Sequence, residues 1–295
     1  MKRVWFRSSV LVFSAGAVIA GLTVYFSSAD VPACLVSGAP KWKAPRAGTH
    51  RYMVVFPDRG ACFFAMDDAN KLAGAVRVEN AKGVSVAAPL LDDIALRTEH
   101  GVYRFDPRSG RTRSGGLAPF PSEIVNVVDA RRQLMYVTRP KFLGFRVIDM
   151  RSATSLYDVT FQGFTWNPRF GPNPPSHGLV LSPDGSELWV LDAPNSTVHV
   201  FDLRPLPEAP PRQVKDIRLS KPLSGDQNPC TANCARIGSL IGSADGRYVY
   251  VGDSGDVIDT KRREVVTNLE ALHNSRVAIE VVFSDGKPSY PLLPG

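Results

Sequence analysis

Residues 180–203 read VLSPDGSELWVLDAPNSTVHVFDL, and the chain repeats this grammar. Residues 127–150, VVDARRQLMYVTRPKFLGFRVIDM, align with it at a constant offset of 53 without a gap. Residues 241–260, IGSADGRYVYVGDSGDVIDT, match at an offset of 61 with a shorter second turn. Each copy is an apolar run, a polar turn, an alternating run, a second turn, and an apolar run that ends in Asp. A unit of this size cannot bury its own apolar face, so its copies must stack. The repeat therefore decides the architecture.

The alternation in SELWVLD and RYVYVGD gives each run two faces, as a strand requires. Val, Ile, Tyr, Phe and Trp dominate these runs, and such side chains suit a pleated surface. Asp-Gly pairs at 184–185, 245–246 and 285–286 supply residues that tolerate positive φ. Asp106, Asp149, Asp202 and Asp259 each close a run just before a turn, which marks them as turn-capping residues. Working outward, the same grammar covers RYMVVFP (51–57), ACFFAMDD (61–68), AGAVRVE (73–79), DIALRTE (93–99), GVYRFDPRSGRTRSG (101–115) and AIEVVFSDGKPSYPLL (278–293). The expectation is an all-β fold: a β-propeller over residues 49–295 with four-stranded antiparallel blades. A blade of ~40–45 residues makes six or seven of them. Ring closure is expected to pair the terminal strand with the first, because a closed ring leaves only short, protected edges. Trp189 and Tyr250 occupy one place in two copies and are read as core between blades, whereas His199 is read as facing solvent.

The copies resemble blades of the YVTN-type (YncE-like) β-propeller family. The resemblance rests on LSPDGSELWVLD with STVHVFDL and on GSADGRYVYVGD with DVIDTKRREVV, and is closest over residues 177–268. The chain departs from the family pattern at Pro57-Asp58-Arg59-Gly60, which replaces a Pro-Asp-Gly turn, and at Glu79, where an Asp would close the strand. The family implies a propeller fold and includes periplasmic or secreted proteins of unknown activity, surface-layer proteins and binding proteins. Neighbouring propeller families include lactonases and quinoprotein dehydrogenases.

The N-terminus reads as a targeting segment. MKRVWFR is positively charged, residues 8–26 carry no charge, and the small residues Ser27 and Ala29 follow. Residues 1–29 thus fit a signal peptide or an N-terminal membrane anchor, both of which put the remainder in the periplasm or outside the cell. Val31-Pro32-Ala33-Cys34 also hints at a lipidation signal. Residues 30–48, rich in Pro and Ala, read as a tether. Four cysteines, Cys34, Cys62, Cys230 and Cys234, suit disulfides in that compartment, and four cysteines allow three pairings. Cys230–Cys234 would close a tight loop, and Cys34–Cys62 would then tie the tail to the first unit. No zinc set and no haem-attachment motif is completed, so neither metal nor cofactor is expected.

The formal net charge is +7, but Lys2, Arg3 and Arg7 belong to the leader and the remaining basic residues are dispersed. Nucleic-acid binding would need a basic face or a reading module, and the chain has neither. Membrane contact is expected only through the N-terminal segment.

In a propeller the loops that lead into the innermost strands surround the channel mouth. By that rule His177, Glu123, Arg236, Arg51, Arg276 and Asp92 form a mixed ring there, with Trp166 on the Pro-rich insertion beside His177. Converging polar groups on a concave surface make a binding site, and guanidinium groups suit a carboxylate or phosphate. No nucleophile elbow, HExxH, P-loop or dinucleotide fingerprint occurs. The expected function is therefore non-catalytic: an exported scaffold that binds an envelope protein or a small anionic molecule. The alternatives are a lactonase-like hydrolase using His177, Glu123 and Asp92 at the channel mouth, and a redox-accessory propeller.

Overall fold

The structure, a computed structural model, describes residues 40–57, 62–78, 84, 86–98, 101–114, 126–167, 174–223, 238–273 and 275–290. The repeat units become hairpin-linked strands at the expected positions. In chain order they are β1 (Thr49–Pro57), β2 (Cys62–Met66) and β3 (Leu72–Arg77); then β4 (Val86–Leu90), β5 (Asp93–Thr98), β6 (Gly101–Asp106) and β7 (Arg111–Ser114). Next come β8 (Asn126–Asp129), β9 (Leu134–Val137), β10 (Gly144–Asp149) and β11 (Thr154–Thr160). They are followed by β12 (Ser176–Leu181), β13 (Glu187–Asp192), β14 (Thr197–Asp202) and β15 (Arg212–Arg218). The last are β16 (Ser239–Gly242), β17 (Tyr248–Gly252), β18 (Asp256–Asp259), β19 (Glu264–Asn268), β20 (Ser275–Ser284) and β21 (Lys287–Ser289). One short 3-10 helix, Glu270–Leu272, is the sole helical element among the described residues.

Four sheets are four-stranded antiparallel meanders: β4–β7, β8–β11, β12–β15 and β16–β19. The remaining sheet, the first in chain order, runs β21-β20-β1-β2-β3 and joins the two ends of the chain, so β4–β7 is the second sheet and β16–β19 the fifth. β20 pairs with β1 in antiparallel register along its length, from Thr49↔Ser284 to Pro57↔Ser275. That is the expected closure. β4, β20, β16, β12 and β8 lie side by side in that order and form the inner layer. The fold is a β-propeller-like array of antiparallel sheets. The described residues form five sheets, where the length of one unit had suggested six or seven blades.

Apolar side chains fill the spaces between successive sheets. One cluster joins the first and second sheets through Phe56, Phe63, Ile94, Leu96 and Phe105. Another joins the third and fourth through Tyr136, Phe145, Leu188 and Phe201. Trp189, Leu191, Leu240 and Val251 bind the fourth sheet to the fifth, and Val55, Phe64, Tyr250 and Val257 bind the last sheet to the first. Trp189 and Tyr250 thus sit at equivalent places in two inter-sheet cores, as expected. Each large side chain so buried contributes ~1.5–3 kcal/mol of transfer free energy.

Part of the segment read as a tether belongs to the packed body. Trp42 is buried against Phe63 and Phe283, its backbone N–H donates to the Ala75 carbonyl at 3.0 Å, and its indole Nε1 donates to the Pro107 carbonyl at 2.8 Å. A lone aromatic in an aperiodic Pro/Ala run has no strand pattern to reveal it. Residues 8–26 lie outside the described residues; among the described ones no helix is long and apolar enough to cross a membrane.

Candidate functional site

The direction of the inner strands divides the molecule into two ends. β12 and β16 run the same way: a Cβ on Gly178 would meet the Leu240 backbone N, and one on Gly242 would meet the Val180 side chain. Connections from one sheet to the next enter the inner strands at one end, the loop face. The first hairpin turn of each meander lies at the other end, the turn face.

His177 and Arg276 are the second residues of β12 and β20, so both positions stand at the loop face. Trp166, half-buried in the segment between β11 and β12, belongs to the same face. Arg51 and Asp92 do not. Arg51 lies opposite Val282, six residues along β20 from Arg276, or about 20 Å at strand rise. Its Nη1 is 2.8 Å from Asp245 Oδ2 in the turn after β16, and its Nε is 3.0 Å from Glu280 Oε1. Asp92 is exposed in the turn after β4, and its carbonyl accepts from Tyr290 Oη at 3.0 Å. Glu123 and Arg236 lie outside the described residues. The expected ring is therefore split between two ends. Arg51 leads the first unit in sequence, but the innermost strand of that sheet is β20. Asp92 leads into β5, but the innermost strand of its sheet is β4. In both cases one strand is added ahead of the residue, and the direction reverses.

Of the cysteines, Cys62 is fully buried on β2, and Cys34, Cys230 and Cys234 lie outside the described residues. Among the described residues no cluster of His, Cys, Asp and Glu has the arrangement of a metal site.

A cavity opens on the turn face, between the fourth and fifth sheets. It encloses about 800 Å³. Its walls are apolar: Val180 from β12, Trp189 from β13, Ile241 from β16 and Tyr248 from β17, with Val127 from β8 reaching in. Its rim is polar and comes from three turns, those holding Ser182, Asp184 and Ser186; Ser243 and Asp245; and Thr260, Lys261 and Arg263. The Asp residues of the repeat make these turns rigid. Asp184 Oδ1 accepts from Ser182 Oγ at 2.6 Å, Ser186 N at 2.9 Å and Ser186 Oγ at 2.8 Å. The Ser182 hydroxyl bond, joined by the Ser186 N–H, holds the Asp184 carboxyl below the usual carboxylate range. Asp245 repeats the pattern with Ser243 Oγ at 2.7 Å and Arg247 N at 3.0 Å. Burial raises its carboxyl, but those bonds and Arg51 outweigh burial and leave it lowered.

The turns are also tied to one another. Arg131 and Arg132 reach across from the third sheet to the carbonyls of Asp184 and Gly185 at 3.2 and 2.8 Å. Pro183 lies against Gly246. Glu280 accepts from Ala244 N at 2.6 Å. Arg263 Nη2 donates to Glu187 Oε1 and so bridges the fourth and fifth sheets at the cavity wall. The rim is one connected belt, which gives the cavity a fixed shape.

A second cluster that sequence reading placed in solvent is buried. His199, fully buried on β14, has Nδ1 2.7 Å from Asp216 Oδ1 and Nε2 3.2 Å from Asp192 Oδ2. Phe161 and Phe164 cover its ring at 4.2 and 4.6 Å between centroids. The alternation of TVHVFD does not betray this burial, because the covering loop comes from the preceding unit. The repeated strand-closing Asp residues behave as read. Asp106, Asp149, Asp202 and Asp259 each accept a backbone N–H two or three residues on.

No family model matches this chain, and no curated protein matches it. Among solved structures, a protein from Lactobacillus plantarum aligns over 82% of this chain and 81% of its own, with 15% identity and a TM-score of 0.36. A functionally unknown protein from Desulfotomaculum acetoxidans aligns over 81% of this chain and 78% of its own, at 8% identity and a TM-score of 0.36. Dihydro-heme d1 dehydrogenase NirN, in complex with DHE, aligns over 86% of this chain and 66% of its own, at 14% identity and a TM-score of 0.33. Likenesses of this degree assign neither activity nor ligand, and the propeller-like fold stands on the strand pairings of the chain itself.

Proposed function

We propose that this chain is an exported, non-catalytic binding protein that holds a small molecule in the cavity between its fourth and fifth sheets. The carrying observation is the cavity itself. Its volume of about 800 Å³ falls in the range of small-molecule sites, and it joins apolar walls to a few fixed polar groups. The rim carboxylates of Asp184 and Asp245 accept from neighbouring turn groups. They serve as girders for the turns, a role that suits binding better than acid–base chemistry. A lactonase using His177, Glu123 and Asp92 draws no support, since His177 and Asp92 belong to opposite ends. The blades are read as YVTN-type, a reading supported by the Ser-x-Asp turns that recur at 182–184 and 243–245. Export through residues 1–29, with or without retention in the membrane, is supported by the charge pattern of the leader. The four cysteines, Cys62 among them, read as disulfide partners, and that reading supports an oxidising compartment such as the periplasm.

The test is thermal unfolding of the full chain against a small-molecule panel of carboxylates, alcohols, amines and sugars, beside Val180→Phe, which fills the cavity. A ligand at 100-fold its Kd stabilises the native state by about 2.7 kcal/mol. A shift that vanishes in Val180→Phe supports the reading. A panel that moves neither protein, or moves both alike, overturns it and directs attention to an envelope protein partner.

A further inference from the structure

The rim of the cavity is not balanced in its hydrogen-bonding capacity, and this bears on what the cavity takes. Its acceptors are already engaged. Asp184 is served by two serines, Asp245 by Ser243, Arg247 N and Arg51, and Glu187 by Arg263. Its donors are in surplus. The Lys261 ammonium lines the cavity and makes no ion pair or hydrogen bond among the described residues. Arg263 spends one Nη2 donor on Glu187, and its Nε and Nη1 donors have no partner among the described residues. A guanidinium and an ammonium on the same turn, both facing one cavity, present a fork and a point charge to an incoming group. Below them the walls of Val180, Ile241 and Tyr248 offer apolar surface and no further cation.

We infer that the ligand is a small organic anion with an apolar body, its acid group held by Lys261 and Arg263 and its body against Val180, Ile241 and Tyr248. This inference rests on the proposed binding role of the cavity. The anion completes the unused donors, and the apolar body removes the cavity walls from water. A neutral ligand of the same shape would gain only the second term. A cation would meet carboxylates that each already hold a partner, with Lys261 and Arg263 opposing it.

The experiment is isothermal titration of the full chain with octanoate, octanol and octylamine, chosen as probes of equal length and different charge. Octanoate is expected to bind about tenfold more tightly than octanol, a ratio equal to about 1.4 kcal/mol. Lys261→Gln is expected to bring octanoate close to octanol and to leave octanol unchanged. Lys261 makes no ion pair or hydrogen bond among the described residues that the substitution would break, so unfolding by circular dichroism is expected to be unchanged. If octanoate and octanol bind equally, and Val180→Phe abolishes both, the cavity binds ligands but the anionic inference falls. If octylamine binds best, the sign of the inference is wrong. If none of the three binds, both the inference and the binding role of the cavity fall. Val127→Phe, which enters the same cavity from another sheet, serves as the second filling variant should Val180→Phe fail to fold.

Discussion

At the scale of single residues, the buried polar groups show which side chains the fold constrains most. His199 sits between Asp192 and Asp216 under two aromatic rings. Both contacts are to carboxylates, so each ring nitrogen lies against an acidic oxygen. His199→Phe keeps the volume but removes the ring nitrogens that face the two acids. Asp192 retains Asn195, while Asp216 is partly exposed and regains water. The variant is expected to lose ~2–3 kcal/mol in urea unfolding, the cost of under-satisfied buried acceptors. Glu280 behaves in the opposite sense. Burial pushes its carboxyl above the usual range, and the Ala244 N–H and Arg51 recover only part of that. The native carboxyl therefore holds its proton to a higher pH than the unfolded one. Stability contributed by Glu280 is lost as pH rises from about 4.3 through the raised native value. Relative to Glu280→Gln, the wild-type chain is expected to lose stability across that window and to hold a constant difference above it, as read by urea melts between pH 4 and pH 8.

At the scale of elements, close approach between β12 and β16 governs the geometry of the cavity. Gly178 has φ +84°, and a Cβ there would lie 2.6 Å from the Leu240 backbone N. A side chain is thus excluded on two grounds, left-handed backbone and backbone contact. Gly178→Ala is expected to cost about 3 kcal/mol or more in denaturant unfolding and to weaken ligand binding, because the strands that wall the cavity must part. The first sheet, which joins the chain ends, supplies a second element-scale prediction. β20 provides the inner strand for a sheet whose other main strands come from the N-terminal end, so removing it leaves β1 as an open edge. A chain truncated before Ser275 is expected to aggregate or stay unfolded, with loss of the cooperative transition in circular dichroism. A stable, soluble product would mean that closure is dispensable.

At the scale of the whole molecule, acid stability and redox state are collective properties. Asp149, Asp158, Asp184 and Asp202 are all held below the usual carboxylate range, chiefly by hydrogen bonds from a neighbouring N–H, guanidinium or hydroxyl group. Each contributes stability that is present above about pH 3.9 and is lost as pH falls through its native value. The midpoint of urea unfolding is expected to drop steeply below pH 4, where the Glu280 contribution is already complete and offsets none of the further loss. If Cys62 is held as a cystine, a reducing agent lowers stability by ~2–4 kcal/mol. Identical melts with and without dithiothreitol would remove the argument for an oxidising compartment.

The sequence by itself determined the repeat, the strand positions within it and the turns that end each strand. These are local: alternation places two faces on a strand, and an Asp before a turn caps its own backbone within a few residues. It also carried the pairing of the two chain ends, since an array of sheets gains by covering its edges. The tertiary structure alone decided which strand of each sheet is innermost. VAAPL, the sequence of β4, has neither alternation nor β-branched weight and contains a proline, so nothing local marks it as a strand. Missing that strand, and the origin of β20, placed Arg51 and Asp92 at the wrong end of the molecule. The burial of His199 and Trp42 was likewise settled by segments distant in the chain. The cavity belongs to the same class of fact: it lies between two sheets, and its rim assembles from turns that no single repeat contains.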